Sequence, residues 1–177
     1  SNRNAARNIK EAHTGPIFPD GYTIDEPVSE FFLSSIIAAY TNGEQLPSFQ
    51  APTQARAYMR HWLNKRTKGL RPVTITLRES SYDKARNSKV KEWLEFAKRL
   101  DKKRFCPVIV RDTEKCFETQ SGRFEGLIQC DIASVNLLLR MALYEESWLN
   151  LIVPNGPSEL CRLSNSIRYL YFKVVDD

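Results

Sequence analysis

The 177 residues carry 26 Lys and Arg against 21 Asp and Glu, a formal charge of +5, with 42% hydrophobic and 27% charged residues. This is the composition of a soluble globular protein, long enough for one domain with a real core and an extra lobe. No apolar run approaches the roughly 20 residues of a membrane-spanning helix, and the opening SNRNAARNIKEAH lacks a signal-peptide core, so neither a transmembrane segment nor export is expected.

The basic runs Arg56–Arg71 and Lys98–Arg104 fall on or just after predicted helices, where they suit solvated faces and C-terminal turns. No RNA- or DNA-binding motif accompanies them, so nucleic acid is not an expected partner. Cys106, Cys116, Cys130 and Cys161 form no C-x-x-C pair, and His13 and His61 lie far from them in sequence. Reduced thiols in a cytoplasmic protein, without a metal site, are expected.

In chain order, Thr14-Gly15-Pro16 and Phe18-Pro19-Asp20-Gly21 are turn signals. A short helix is predicted from Ser29, as N-cap, to Tyr40, with Gly43 beyond its end. Leu46 to Pro52 reads as an extended linker. Residues 1–52 therefore form an irregular N-terminal extension, and the polar opening is what an excised piece of a longer protein would show. Regular patterning starts at Thr53. Ala55, Tyr58, Met59, Trp62 and Leu63 recur at helical spacing until Lys68-Gly69. Val73–Leu77 is a β-branched strand. Ser88 is placed to cap a helix whose stripe is Val90, Trp93, Leu94, Ala97 and Leu100. A second strand spans Cys106–Val110, and Glu114–Gly126 is polar and loop-like. One helix is predicted from Asp131 through Ala142, a third strand over Leu149–Val153, a short helix over Ser158–Leu163 and a fourth strand over Tyr169–Val174. Alternating helices and strands predict an α/β, Rossmann-like domain over 53–177, with a mostly parallel sheet covered on both faces.

Candidate chemistry gathers at the strand ends. Arg78 follows the first strand, and its forked cation suits a diphosphate; the plainer alternative is a salt bridge to Glu79 or Asp83. Arg86-Asn87-Ser88 leads into the next helix, where N–H groups and the Ser88 hydroxyl can face an anion, although Ser88 also serves as a simple cap. Asp112 ends the second strand and can accept hydrogen bonds from a ribose or base, or form an Asx turn beside Arg111. Asn155-Gly156-Pro157-Ser158 is the strongest local feature: Gly156 permits close backbone approach, and Ser158 sits at a helix start with its hydroxyl free. Arg140 and Glu145 read as surface charges on an amphipathic helix, and Tyr144 and Trp148 as core. G-x-G-x-x-G, the P-loop and G-x-S-x-G are all absent, so dinucleotide oxidoreductase, P-loop NTPase and α/β-hydrolase lose their usual anchors.

The spread PVTITLRESSYDKARNSKVKEWLEFAKRL, PVIVRDTEK, LLLRMALYEESWLNLIVPNGPSELCRL and RYLYFKV resembles the C-terminal half of a GT-B glycosyltransferase, distantly similar to the fucosyltransferase and heptosyltransferase groups. The resemblance covers about residues 53–177. It implies a donor-binding domain in which Arg78 contacts the diphosphate of a nucleotide sugar. It likewise implies that Asp112 would lie near the nucleoside and that Asn155, Gly156 and Ser158 would line the phosphate-facing loop. The fucosyltransferase pattern has two adjacent arginines after its first strand. Here the second position is Glu79, with Arg86 as a candidate substitute.

The resemblance further implies no metal cofactor, a glycan or lipid-linked acceptor, and a separate N-terminal acceptor domain for which residues 1–52 are too few. The protein would then be cytoplasmic or peripheral at the membrane. The competing expectation is a non-enzymatic α/β module that binds an anion or a protein in the same crevice.

Overall fold

Residues 32–44, 48–82, 84–118 and 122–172 are described in the computed structural model of the chain, which divides into two units, Ser1–Leu46 and Pro47–Asp177. In the first unit, helix α1 spans Phe32–Thr41. Its last residue folds back, the Thr41 hydroxyl donating to the Ile37 carbonyl at 2.8 Å. Gly43 then takes a φ of +76°, a conformation that disfavours any residue with a Cβ. Ser29, offered above as the N-cap, lies outside the described residues, as do the turn signals at 14–21.

The second unit is an all-parallel five-stranded sheet. In chain order its elements are α2 (Thr53–Thr67), β1 (Arg71–Thr76), α3 (Val90–Arg99), β2 (Phe105–Val110), β3 (Ile128–Gln129), α4 (Asp131–Val135), α5 (Leu137–Glu146), β4 (Leu149–Ile152), α6 (Glu159–Arg162) and β5 (Tyr169–Tyr171). The strand order is β3-β2-β1-β4-β5, with β1 paired in parallel to β2 on one side and to β4 on the other. Strand direction reverses nowhere, but the order of connection does, between β1 and β4. That is the switch point at which open α/β sheets leave a crevice at their carboxyl ends.

The period-two alternation of the strands sorts two cores. Val73, Ile75 and Leu77 of the first strand and its exit, with Ile109 and Leu151, pack on Val90, Leu94 and Ala97 of α3. The opposite face presents Val108, Val110 and Ile152 to Met59 and Leu63 of α2 and to Met141–Tyr144 of α5. Helices therefore cover both faces, as the alternating pattern predicts. Each fully buried aliphatic contributes about 1.5–3 kcal/mol relative to exposure.

Polar residues of β1 also find partners on the α5 side. Thr74 and Ser147 hydroxyls lie 2.6 Å apart, and those of Thr76 and Tyr144 lie 2.8 Å apart, all buried. These pairs fix the height of α5 against β1, and so the position of every α5 side chain relative to the strand ends.

The structure corrects several boundaries. The helix expected over 131–142 is two helices, because Asn136 adopts an extended backbone (φ −119°, ψ 108°) and its side chain accepts the Leu139 N–H as a new N-cap. Ile128-Gln129 adds a fifth strand inside the segment preceding that helix. Ser88 does not cap α3: Lys89 occupies the N-cap position, without a side-chain hydrogen bond. Ser88 instead ties the exit of β1 to the entry of α3, its Oγ accepting the Arg78 N–H at 2.9 Å while its own N–H donates to the Arg78 carbonyl at 2.8 Å. Residues 48–52 form neither helix nor strand, with the Phe49 N–H bonded to the Leu163 carbonyl and the Ala51 N–H to Glu145 Oε1, both at 2.8 Å. The expected continuation of the last strand through Val174 runs into residues outside those described.

Candidate functional site

The exits of β1, β2 and β4 all lie at the carboxyl end of the sheet, because the three strands are parallel neighbours. A pocket of about 220 Å³ sits there. Its lining takes Leu77, Arg78 and Ser80 from the first exit, Asp112 and Thr113 from the second, Asn155, Gly156 and Pro157 from the third, and Arg140 from α5. A wider hollow of about 480 Å³ shares Arg78 and Ser80 and is otherwise lined by, among others, Ser81, Lys84, Asn87, Ser88, Lys115 and Arg123.

Of the residues singled out from sequence, the small pocket therefore brings together Arg78, Asp112, Asn155, Gly156 and Pro157. Asn87 and Ser88 line the wider hollow. Arg86 is exposed and lines neither of these two cavities. Ser158 is buried, and its hydroxyl is not free: it donates to the Asn155 carbonyl at 2.6 Å. Its N–H is shared between Asn155 Oδ1 at 3.0 Å and the Asn155 carbonyl at 3.1 Å. Gly156–Ser158 forms a 3-10 turn, and the Glu159 N–H bonds back into it. A helix does start here, over Glu159–Arg162 with Ser158 at its N-cap, but Pro157 has no N–H and Ser158 spends both its hydroxyl and its N–H on Asn155, which corrects the reading of that hydroxyl as free.

Arg78 is half-buried. Its Nε is enclosed and has no hydrogen-bond partner among the described residues. The alternative partner Glu79 is engaged elsewhere: its carboxylate takes the fork of Arg111, Nε at 3.0 Å and Nη2 at 2.9 Å. The other alternative, Asp83, lies outside the described residues. Arg111 is only 1% exposed; besides Glu79 it donates Nη1 to the Glu118 carbonyl at 3.3 Å and covers the Phe124 ring, 4.8 Å from its centroid. Glu79, which departs from the double-arginine pattern, thus neutralises a buried cation.

Asp112 joins two exits. One carboxylate oxygen accepts the Glu79 N–H at 3.2 Å and the other the Glu114 N–H at 3.4 Å, the latter an Asx-turn geometry. Asn87 closes the loop between β1 and α3 by exchanging two hydrogen bonds with the Ser80 backbone, both within 2.9 Å. Nearby, Glu114 accepts the Ser81 N–H, which with the Ser81 side chain holds its carboxyl below the usual carboxylate range, and Arg78 adds a weaker pull in the same direction.

Arg140 was read from sequence as surface decoration and is instead 3% exposed. Its Nε donates to the Ala133 carbonyl, while Nη2 is buried with no partner among the described residues. A signal did exist. Arg140 stands in LLLRMAL, a helical stretch with no polar face to receive it, and five successive residues from Arg140 to Tyr144 are buried. Glu145, the other supposed surface charge, accepts the Ala51 N–H and lies 3.2 Å from Arg56.

Nucleophilic thiol chemistry finds no support. Burial pushes the Cys130 thiol up to about 11 and the Cys161 thiol up to about 12, and it raises Cys106 and Cys116 as well. Among the described residues no group of three or more His, Cys, Asp or Glu side chains is arranged to hold a metal, and no helix is long and apolar enough to cross a membrane.

No model of a known protein family matches the chain, and no curated protein matches its sequence. Among solved structures, the chain is similar to one described as a glycosyl transferase family 9 protein from Veillonella parvula DSM 2008, with a TM-score of 0.54 at 9% identity. The match covers 74% of this chain and 43% of that one, so the chain spans less than half the length of the protein it resembles. At that identity the likeness is one of architecture alone: an open, parallel α/β sheet with helices on both faces.

Proposed function

We propose that this chain is the donor-binding part of a glycosyltransferase, holding the diphosphate of a nucleotide sugar in the pocket between β1 and β4. The observation that carries the reading is the convergence of Arg78, Asp112 and Asn155-Gly156-Pro157, from three separate strand exits, on one pocket at the switch point. The leaving group in glycosyl transfer is a nucleoside diphosphate, so a guanidinium fixed beside its phosphates stabilises charge as it develops. Arg78 fits that task because its Nε is enclosed and uncommitted. Asp112 is the group for a ribose or base donor, and the wider hollow beyond Arg78 and Ser80 accommodates the rest of the donor. The acceptor, a glycan or lipid-linked glycan, and the catalytic base belong to a second body facing this end of the sheet. That division is consistent with the 43% span of the similar structure. The setting is the cytoplasm, with peripheral membrane contact where the acceptor is lipid-linked.

Thermal melting in the presence of GDP, UDP, ADP and CMP tests the proposal. One of the diphosphates raises the melting temperature by several degrees, corresponding to about 2.7 kcal/mol at a hundredfold excess over Kd. Arg78→Ala removes the shift. A flat response to all four at millimolar concentration contradicts donor binding.

A further inference from the structure

We infer that Arg140 is the second phosphate-binding cation of this site, so that a diphosphate is gripped between two guanidinium groups, Arg78 from the β1 exit and Arg140 from α5. This rests on the reading of the pocket as a phosphate site and adds to it a residue and a division of the pocket.

Three observations converge. First, Arg140 is almost wholly buried, yet no carboxylate among the described residues lies within 4 Å of it, and Nη2 has no hydrogen-bond partner. Arginine is almost never fully buried unless its charge is compensated. Second, Arg140 is the fourth residue of α5, close to the end where the helix dipole is already positive. Apart from Asp112, which lines the same pocket without pairing with Arg140 within 4 Å, the described lining holds no acidic residue to offset that charge, and an anionic ligand would. Third, the pocket that Arg140 lines is also the one lined by Arg78, whose Nε is likewise enclosed and unpartnered. Two forked donors that line one cavity, each with an N–H left without a partner among the described residues, match the oxygens of a diphosphate.

The cavity also limits what it can take. At about 220 Å³ it falls below the roughly 300–1,000 Å³ of pockets that enclose a whole drug-sized ligand. A diphosphate fits, while the nucleoside must lie outside it. Asp112 is the acidic member of the lining, and each of its oxygens already accepts a backbone N–H. Arg140 is itself held in place, since Nε is tethered to the Ala133 carbonyl and the Asn136 cap begins its helix. That tether leaves Nη2 for the ligand.

The test uses inorganic pyrophosphate, which carries the phosphates and no nucleoside, on the full chain. In wild type, titration shifts the arginine side-chain Nε–Hε resonances of both Arg78 and Arg140, a readout that needs no variant. By calorimetry Arg140→Met weakens pyrophosphate at least tenfold, the factor expected for losing a charged hydrogen bond, and Arg140→Lys falls between the two because the charge remains but the fork does not. Pyrophosphate binding that leaves the Arg140 resonance unmoved, or equal affinity in wild type and folded Arg140→Met, overturns the inference. Nucleoside diphosphates that bind while pyrophosphate never reaches Arg140 overturn it too, leaving the donor reading intact. Pyrophosphate held by both arginines, with no nucleoside diphosphate binding more tightly, upholds the paired site and removes the nucleotide. Binding by neither ligand overturns both.

Discussion

Three arginines near the carboxyl end of the sheet show how the same side chain takes different duties according to its partners. Arg111 has a carboxylate at 2.9 Å and an aromatic ring beneath it, so its charge is settled within the fold. Arg78 and Arg140 retain enclosed nitrogens with no hydrogen-bond partner among the described residues. The contrast predicts opposite mutational behaviour. Removing Glu79 strands the buried Arg111 cation, and Glu79→Ala is expected to cost about 3–5 kcal/mol in chemical denaturation. Because the penalty comes from the orphaned charge, Glu79→Ala/Arg111→Met loses less than Glu79→Ala alone. A double variant less stable than the single one would show that Arg111 is held by packing rather than by charge. Arg78→Ala, by comparison, breaks no side-chain hydrogen bond seen among the described residues, and its effect belongs to ligand binding.

At the scale of elements, the pocket owes its shape to short connections that use up their own polar groups. Asn155 is extended (φ −148°, ψ 167°) and caps the 3-10 turn through the Ser158 N–H. Asn155→Ala is expected to cost about 1 kcal/mol of stability, measured by denaturant titration, the usual loss for an N-cap; no change would mean that the Asn155 carbonyl alone holds the turn. The sequence makes β2 legible because Val108, Ile109 and Val110 alternate between the two cores, β1 because Val73 and Ile75 fall at strand spacing between threonines, and β4 because Leu151 and Ile152 face opposite cores. It makes the end of α2 legible through Lys68 and Gly69, both in the left-handed region. The break at Asn136 is hidden, since Ala133 before it and Met141 after it bury into the same core, and the apolar stripe runs on across the cap. β3 is hidden for a different reason. Two residues pairing with β2 leave no alternation to read, and buried Phe124, which serves the Arg111 cation, sits among polar neighbours.

Over the whole of the 47–177 unit, α2 and α5 are joined across the layer by charge as well as by the apolar core. Arg60 donates two hydrogen bonds to Glu146, both at 2.8 Å, and Arg56 donates another at 3.2 Å. The hydrogen bond from Arg60, helped by Arg56, holds the Glu146 carboxyl below its ordinary value of 4.5. A depressed carboxylate stabilises the fold above its unfolded value, and that contribution is lost as pH falls through the lower folded value. The arginines are about half exposed, so the contribution is about 1 kcal/mol or less. The stability gap between wild type and Glu146→Gln is expected to be constant near pH 6–7 and to close below about pH 4.5. A gap that persists unchanged to pH 3 would assign the difference to packing.

The site was partly legible at this scale. Strand exits in a parallel sheet must share one end, so Arg78, Asp112 and Asn155–Pro157 could be brought together from sequence alone. For Arg140 the LLLRMAL setting signals burial but not membership of this pocket, because the height of α5 against β1 is set by hydroxyl pairs, Thr74 with Ser147 and Thr76 with Tyr144, which no periodicity reveals.

The account stands on a nucleoside diphosphate lodging at the switch point between β1 and β4, and a crystal structure of the chain with the nucleotide that most raises its melting temperature tests this most directly. The diphosphate is expected within hydrogen-bonding distance of Arg78 Nε and Arg140 Nη2, with the nucleoside outside the smaller pocket. A nucleotide bound elsewhere on the molecule, with both guanidinium groups unliganded, would contradict it.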